Sequence, residues 1–380
     1  MCRGWGRPQA ARPGGVRPQV WPPRPPPAVP TSRCGMPFSD LPQPFLRAEA
    51  LAHDVSSRRI DSALLRGDLD RIAPGVYAVS SQWTPLEPWK RHLALARAAV
   101  RTTPDAIVSH ASAAALLGLP MPPKPPERAT MTVLDDGRTS EDDGWRRFHR
   151  GRTPPEQIVI DEGNPYLVPA RTVVDCMREM RPGDALAVLD AAIRAGLVTG
   201  GELTAMRRHQ RRWPGIAVAD RLLRLGDGRR ESWFESTSAW VMSAWDLPPG
   251  IPQVVVSDSL GRFVARVDVL WQELGVVGEA DGRGKYLTDT TDGSQPSDEQ
   301  AARAVVAQAI REGRVRDLGL EVVRWDPPDL GQPLGLLGRF HAAVARARPE
   351  LVTARFTCSC CRRPLTDCGS PTRIAGLRAA

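Results

Sequence analysis

From Phe45 onward the apolar positions fall at helical spacing, and Phe45, Leu46, Ala50 and Leu51 predict one short helix that turns at His53-Asp54. Ser56 reads as the cap of a second helix running to Arg66, with Ile60 and Leu64 one turn apart on its buried face and Gly67 ending it. Leu69 to Val79 then reads as two short strands around Pro74-Gly75, a turn dipeptide. Helix, turn, helix and hairpin in that order describe a winged helix-turn-helix over residues 41–84.

A second pattern covers residues 85–215 and mixes helices with a few strands. Trp89 to Val100, Ser109 to Leu117, Arg171 to Met180, Asp184 to Ala195 and Gly201 to Gln210 have helical periodicity. Thr130 to Leu134 and Gln157 to Ile160 look like strands around an acidic loop at Asp135 to Asp143. No spacing in this region suits a metal or a nucleophile, and His110 is expected only to satisfy a local hydrogen bond. The third part, 228–348, alternates differently. A helix over Arg230–Trp245 precedes strands at Gln253–Ser257, Phe263–Trp271 and Val276–Glu279, and a long helix over Asp298–Asp317 leads to a strand at Leu320–Trp325 and a helix near Leu336–Ala347. The fold class expected is therefore α+β: a winged helix, a mixed α/β middle region and an αβββαβ C-terminal domain.

Composition changes this picture mainly at the ends. The formal charge is +8, but residues 1–40 hold +5 of it and residues 355–380 hold +4, which leaves −1 for the span between. The basic balance belongs to the tails and is no evidence that the folded domains bind nucleic acid. Ten of the 37 prolines lie in residues 1–40, a segment too poor in apolar periodicity to build a core and so expected to be disordered, with Met36 read as the biological start. The last segment, 355–380, carries Cys358, Cys360, Cys361 and Cys368 in a C-x-C-C-x6-C spacing that is not a standard zinc pattern. An unstructured tail with reduced thiols is expected there, a zinc knuckle being the alternative. No apolar run suits a membrane span or a signal peptide, so a cytoplasmic protein is expected.

The segment with the most chemistry is Arg266-Val-Asp-Val-Leu-Trp-Gln-Glu-Leu-Gly-Val-Val-Gly-Glu-Ala-Asp281. With Gln272–Gly275 as the loop of an antiparallel hairpin, Leu270 faces Val277, Asp268 faces Glu279 and Arg266 faces Asp281. Opposed side chains share a face, and two opposed acids repel unless solvent or a cation offsets the charge. A divalent cation such as Mg2+ or Mn2+ takes oxygen ligands from carboxylates, can activate a water and can stabilise charge on a phosphodiester. Lys285 could add a positive group and Glu235 another acid at the rim. On the second helix, Ser57, Arg58, Arg59 and Ser62 lie opposite the buried face, and Arg71 lies on the wing, where duplex DNA would be read. A small helical cap with solvated arginines is the blander alternative.

Several motifs together resemble known families: Glu235-Ser236, Arg266-Val267-Asp268, Gly278-Glu279-Ala280-Asp281-Gly282, Lys285-Tyr286 and the closing Leu318–Trp325 run. They resemble the very-short-patch-repair-like branch of the PD-(D/E)xK endonuclease superfamily. The upstream Gly67–Tyr77 stretch, Ser109-His110-Ala111-Ser112-Ala113-Ala114 and Ala170-Arg171-Thr172 resemble actinobacterial AbiEi-type antitoxins of type IV toxin–antitoxin systems. The resemblance spans about residues 40–348. It implies Asp268 and Glu279 as metal ligands, Asp281 as a further ligand, Lys285 as the basic catalytic position and Glu235 as the helix acid. In the following helix Gln308, Ala309 and Gly313 stand where relatives often carry a Glu-Lys pair and an Asp, which argues against strong catalysis. The implied function is a DNA-binding regulator of the antitoxin kind, with double-stranded DNA and a nucleotidyltransferase-like toxin as partners. A metal-dependent endonuclease of repair or defence, and a degenerate nuclease fold used for protein contacts, are the alternatives. The oligomeric state is open.

Overall fold

The computed structural model describes residues 36–133, 142–161, 163–282 and 298–368. The acidic loop expected at 135–143 lies mostly outside the described residues, as do Cys2, Cys34, Lys285 and the segments 1–35 and 369–380.

The described residues include 36–40, ahead of the expected domain start at 41. Phe38–Asp40 form a short 3-10 turn, and the Phe38 ring stacks on Phe45 at 5.7 Å between centroids. Phe45 is fully buried, and Phe45–Leu46 is a strand, β1, rather than the start of a helix. The reason is pairing: β1 runs antiparallel to β3, with Phe45 opposite Tyr77 and Leu46 opposite Val76. The helix α1 follows at Arg47–Ala52, and α2 covers Ser57–Arg66 with Ser56 accepting a hydrogen bond from the Arg59 amide. Gly67 ends α2 at φ 78°, in the left-handed region that glycine adopts without strain. Strands β2 (Leu69–Ala73) and β3 (Val76–Val79) form the expected hairpin, and α3 (Ser80–Trp83) closes the unit.

The middle part starts with α4 (Pro88–Thr102), β4 (Ala106–Val108) and α5 (His110–Leu116). Next come β5 (Ala129–Val133), β6 (Arg146–Arg150), β7 (Ile158–Asp161) and β8 (Asn164–Leu167), in a sheet of order β6-β5-β4-β8-β7. Pattern reading finds β5 and β7 but not the other three. β4 is only Ala-Ile-Val, β6 is Arg-Arg-Phe-His-Arg without apolar alternation, and β8 begins Asn-Pro. Four helices then pack together: α6 (Pro169–Glu179), α7 (Pro182–Arg194), α8 (Gly200–His209) and α9 (Ile216–Leu225). α9 lies past the expected end of the region at 215. It belongs here because Ala219, Leu222 and Leu223 enter the same core as Val173, Met177, Leu186, Leu189 and Leu203.

The last part has the expected order of elements: α10 (Trp233–Ala244), β9 (Ile251–Ser257), β10 (Phe263–Trp271), β11 (Val276–Ala280), α11 (Asp298–Asp317), β12 (Glu321–Trp325) and α12 (Pro333–Arg346). The β10–β11 ladder pairs Val269–Trp271 with Val276–Gly278, Leu270 standing opposite Val277 as predicted, but it stops short of the expected Asp268–Glu279 pair; β12 runs parallel to β11 after the α11 crossover. The C-terminal tail departs from expectation. Residues 355–358 are not an unstructured tail but a strand, β13 (Arg355–Cys358), paired antiparallel to β9 in the sheet order β12-β11-β10-β9-β13. Phe356 and Leu365 pack against the sheet's core, so the tail has apolar anchors that its Cys and Arg content hides.

The middle and last parts share a buried ionic joint. Asp190 of α7, fully buried, accepts hydrogen bonds from Arg230 (2.9 Å), from the Ser236 hydroxyl (2.8 Å) and from the Asp227 amide (2.7 Å). Gly228 lies so close to α7 that a Cβ there would come within 2.8 Å of Ile193. Removing one partner of a buried pair leaves the other charge uncompensated, so Asp190→Ala should destabilise the protein by about 3–5 kcal/mol. Urea unfolding of the variant checks this, and a loss below about 1 kcal/mol, the scale of an exposed ion pair, would contradict it.

Candidate functional site

The acids of the third sheet are positioned from three elements. Ser232 caps α10, accepting from the Glu235 amide at 3.1 Å and donating to the Glu235 carboxylate at 2.8 Å. The Glu231 amide donates to the other Glu235 oxygen, so this buried acid is fixed by its own helix start. From β9, the Gln253 amide nitrogen donates to Glu235 at 2.8 Å and to Asp268 at 3.3 Å, bridging the two acids. Gln253 is 1% exposed and sits at φ 53°, a left-handed conformation costly for a side chain of this kind. Its Oε1 is buried and has no hydrogen-bond partner among the described residues. Strain and an unpaired acceptor thus meet at the residue that joins two carboxylates.

Asp268 and Glu279 come from β10 and β11. Asp268 accepts from the Ala280 amide at 2.8 Å. Burial first, and then the Asp268 charge, push the Glu279 carboxyl up to about 7, although Arg311 and Arg324 pull it the other way. Gly278 is needed beside it, because a Cβ there would lie 2.6 Å from Val269 and 2.7 Å from Trp325. Asp281 lies just past β11 and is bound by Arg324 at 3.0 Å, which also binds Glu312 at 2.9 Å. The expected Arg266–Asp281 pairing is absent: Arg266 binds Glu231 at 2.8 Å. The ladder explains it, since β11 ends at Ala280 and Arg324 of the parallel β12 stands opposite Glu279. Gln308, Ala309 and Gly313 lie on α11, and Glu312 is the acid this helix brings to Arg324, which composition alone did not single out.

The donors all suit a hard cation: carboxylates and the unpaired Gln253 oxygen. Beside them opens a cavity of about 220 Å³, with Glu235 and Asp268 in its wall together with Met242, Trp271 and Trp325.

On the first unit, Arg58, Ser62 and Arg71 are exposed. Ser57 accepts from Arg47, and the Arg59 guanidinium lies over the Phe38 ring at 5.0 Å, so these two are partly engaged within the fold. Sequence reasoning missed a third grouping. His110, at φ 49°, stacks on His149 with ring centroids 3.9 Å apart, and both rings contact Glu179, at 3.3 and 3.2 Å. Burial would raise the Glu179 carboxyl, but the hydrogen bonds from His110 and His149 outweigh it and hold the group well below its ordinary value. His110 also makes the local hydrogen bond expected of it, to the Ser109 hydroxyl at 2.9 Å. The grouping left no trace in the sequence because its members come from α5, β6 and the end of α6, with no fixed spacing between them.

No family model matches the chain. The chain is similar to two uncharacterized proteins of Mycobacterium tuberculosis, from strains CDC 1551 and H37Rv, each 35% identical over 117 residues. The match covers 31% of this chain and 43% of each relative, so it spans less than half the length of either. Among the described residues no helix is long and apolar enough to cross a membrane.

Glu279 gives a pH prediction. Its folded value of about 7 lies above the ordinary 4.5, so between these limits the folded state holds more protons and stability falls as pH rises. Above pH 7 Glu279→Gln should be the more stable protein, by an amount on the order of 3 kcal/mol, and the two should converge near pH 4. Melting curves across this range check it, and a pH-independent difference would contradict the assignment.

Proposed function

We propose that the chain is a DNA-binding regulator of the type IV toxin–antitoxin antitoxin kind, with a winged helix at 41–84 that reads duplex DNA and a restriction-endonuclease-like domain at its C-terminal end. The observation that carries this reading is the αβββαβ order with Glu235 and Asp268 bridged by Gln253 and Glu279 close enough to feel the Asp268 charge. The partner would be a nucleotidyltransferase-like toxin, and the setting cytoplasmic. Arg58, Ser62 and Arg71 offer the exposed side chains for base edges and phosphates. Regulation is favoured over cleavage because the acids are partly offset from within the chain: Arg324 binds Asp281, and burial beside Asp268 raises the Glu279 carboxyl.

A second reading, a metal-dependent endonuclease, is favoured by the unpaired Gln253 oxygen beside the two acids. Asp268, Glu279 and Gln253 would hold Mg2+ or Mn2+, with Asp281 joining on release from Arg324. When bound, such an ion supplies a polarised phosphodiester oxygen and a more acidic water. The chain's own contribution is clear without it. Gln253 bridges Glu235 and Asp268, and Arg311 and Arg324 bring positive charge to Glu279. Lys285, the proposed basic position, lies outside the described residues. A nuclease-like shell kept for protein contacts would bind neither metal nor DNA.

Two measurements separate these readings. Arg58→Ala with Arg71→Ala should weaken duplex binding and lower the slope of log affinity against log salt by about 1 for each phosphate no longer neutralised. An unchanged slope would move the interface elsewhere. Mn2+ should raise the melting temperature, because a ligand bound only by the folded state adds stability, and Asp268→Asn should remove that gain. No shift in either protein would end the metal reading, whereas nicking of supercoiled DNA that Asp268→Asn abolishes would establish the endonuclease.

A further inference from the structure

The C-terminal loop gathers four thiols into one place. The Sγ atoms of Cys358, Cys360, Cys361 and Cys368 all lie within 4.8 Å of one another. None of the four is disulfide-bonded, so the grouping is not a byproduct of disulfide bonds. We propose that these four cysteines bind one structural Zn2+ ion that clamps β13 onto β9 and so holds Gln253 in place.

Geometry is the first support. Four thiolates at about 2.3 Å from a tetrahedral zinc lie about 3.8 Å apart along each edge. Cys360 and Cys368 are already at 3.8 Å. Cys358 and Cys360, at 2.8 Å, are longer than a disulfide bond of about 2.0 Å and would spread by about 1 Å around an ion.

The backbone supplies the second. The Arg362 amide donates to the Cys358 carbonyl at 2.8 Å, and the Cys358 amide donates to the Arg363 carbonyl at 2.9 Å, closing a tight turn around the first three cysteines. Arg362 takes φ 56°, the left-handed conformation that lets the turn reverse. Thr357 and Pro364 form a β-bridge, and a 3-10 turn at Leu365–Asp367 then brings Cys368 back to the others. C-x-C-C-x6-C is unusual as a linear spacing, but this turn makes it a closed set of four.

Charge and packing complete the case. Zinc with four thiolates carries a net charge of −2, which needs cations nearby. The Arg229 guanidinium lies within hydrogen-bonding reach of Cys358, and Arg362 and Arg363 belong to the turn itself. A four-thiolate site is also closed, leaving no ligand position for a substrate, which marks it as structural. Cys358 is fully buried opposite Val254, and the Ser359 amide donates to the Gln253 carbonyl at 3.3 Å. The loop is thus attached to the strained residue that bridges Glu235 and Asp268.

Metal analysis of the full chain, purified without chelator, should find one zinc per chain. Cys361→Ser and Cys368→Ser should lower that to near zero, and Cys176→Ser, in α6, should not change it. Replacement by Co2+ should give the intense visible bands of tetrahedral cobalt with thiolate-to-metal charge transfer. A strong chelator should lower the melting temperature by several degrees, and added zinc should restore it. If the serine variants do not fold, the parent decides the matter: titration with a mercurial should release one zinc as four thiols react. The proposal is overturned by a zinc-free chain that melts identically with and without zinc. It is equally overturned by disulfides among these cysteines in mass mapping, or by iron and sulfide in place of zinc.

Discussion

The Asp190 carboxylate is the constraint on which the C-terminal half depends. It lies on α7, in the helical core, yet its acceptors are filled from Arg230, Ser236 and the amide of Asp227, at and just before the start of α10. Burial pushes its carboxyl up, against the pull of Arg230. The arrangement is stable only with every donor present, because a half-satisfied buried network costs more than an apolar one. The start of α10 also carries Ser232 and Glu235. The joint that ties two parts of the chain together therefore sets the position and direction of the helix acid.

Around that acid the sheet accumulates unfavourable terms that cancel only collectively. Gln253 is strained and has an unpaired oxygen; Glu279 is buried near Asp268; Gly278 gives up a side chain so that β11 can pass beneath Trp271 and Trp325. Features of this sort persist where the surroundings over-determine them, and they cluster at binding and catalytic sites. The His110–His149–Glu179 grouping is a second such place on the middle sheet, with its own strained residue at His110.

Much of this was legible in the sequence where short-range rules apply. The α2 cap at Ser56, the stop at Gly67 and the β10–β11 register follow from local chemistry and a period of two, and all three occur in the structure. Long-range pairing was not legible. Phe45 looked helical until Tyr77 gave it a strand partner, and β13 looked like a tail until β9 gave it an edge. At the candidate site the acids could be read from alternation, but Gln253, Arg324 and Glu312 could not. Each matters through a contact across the sheet, and an uncharged Gln in an apolar strand carries no signal of its own.

β13 also has a consequence for how the molecule behaves among its own copies. β9 reads Ile-Pro-Gln-Val-Val-Val-Ser, with three consecutive valines and no charge. Left at the border of the sheet, such a strand would offer its open amides and carbonyls to any other chain, the usual route to edge-to-edge aggregation. β13 fills that border with Arg-Phe-Thr-Cys and puts an arginine at its outer end. β13 thereby covers the apolar border, and a chain cut before residue 355 would leave β9 as an open edge even with every acid of the sheet intact.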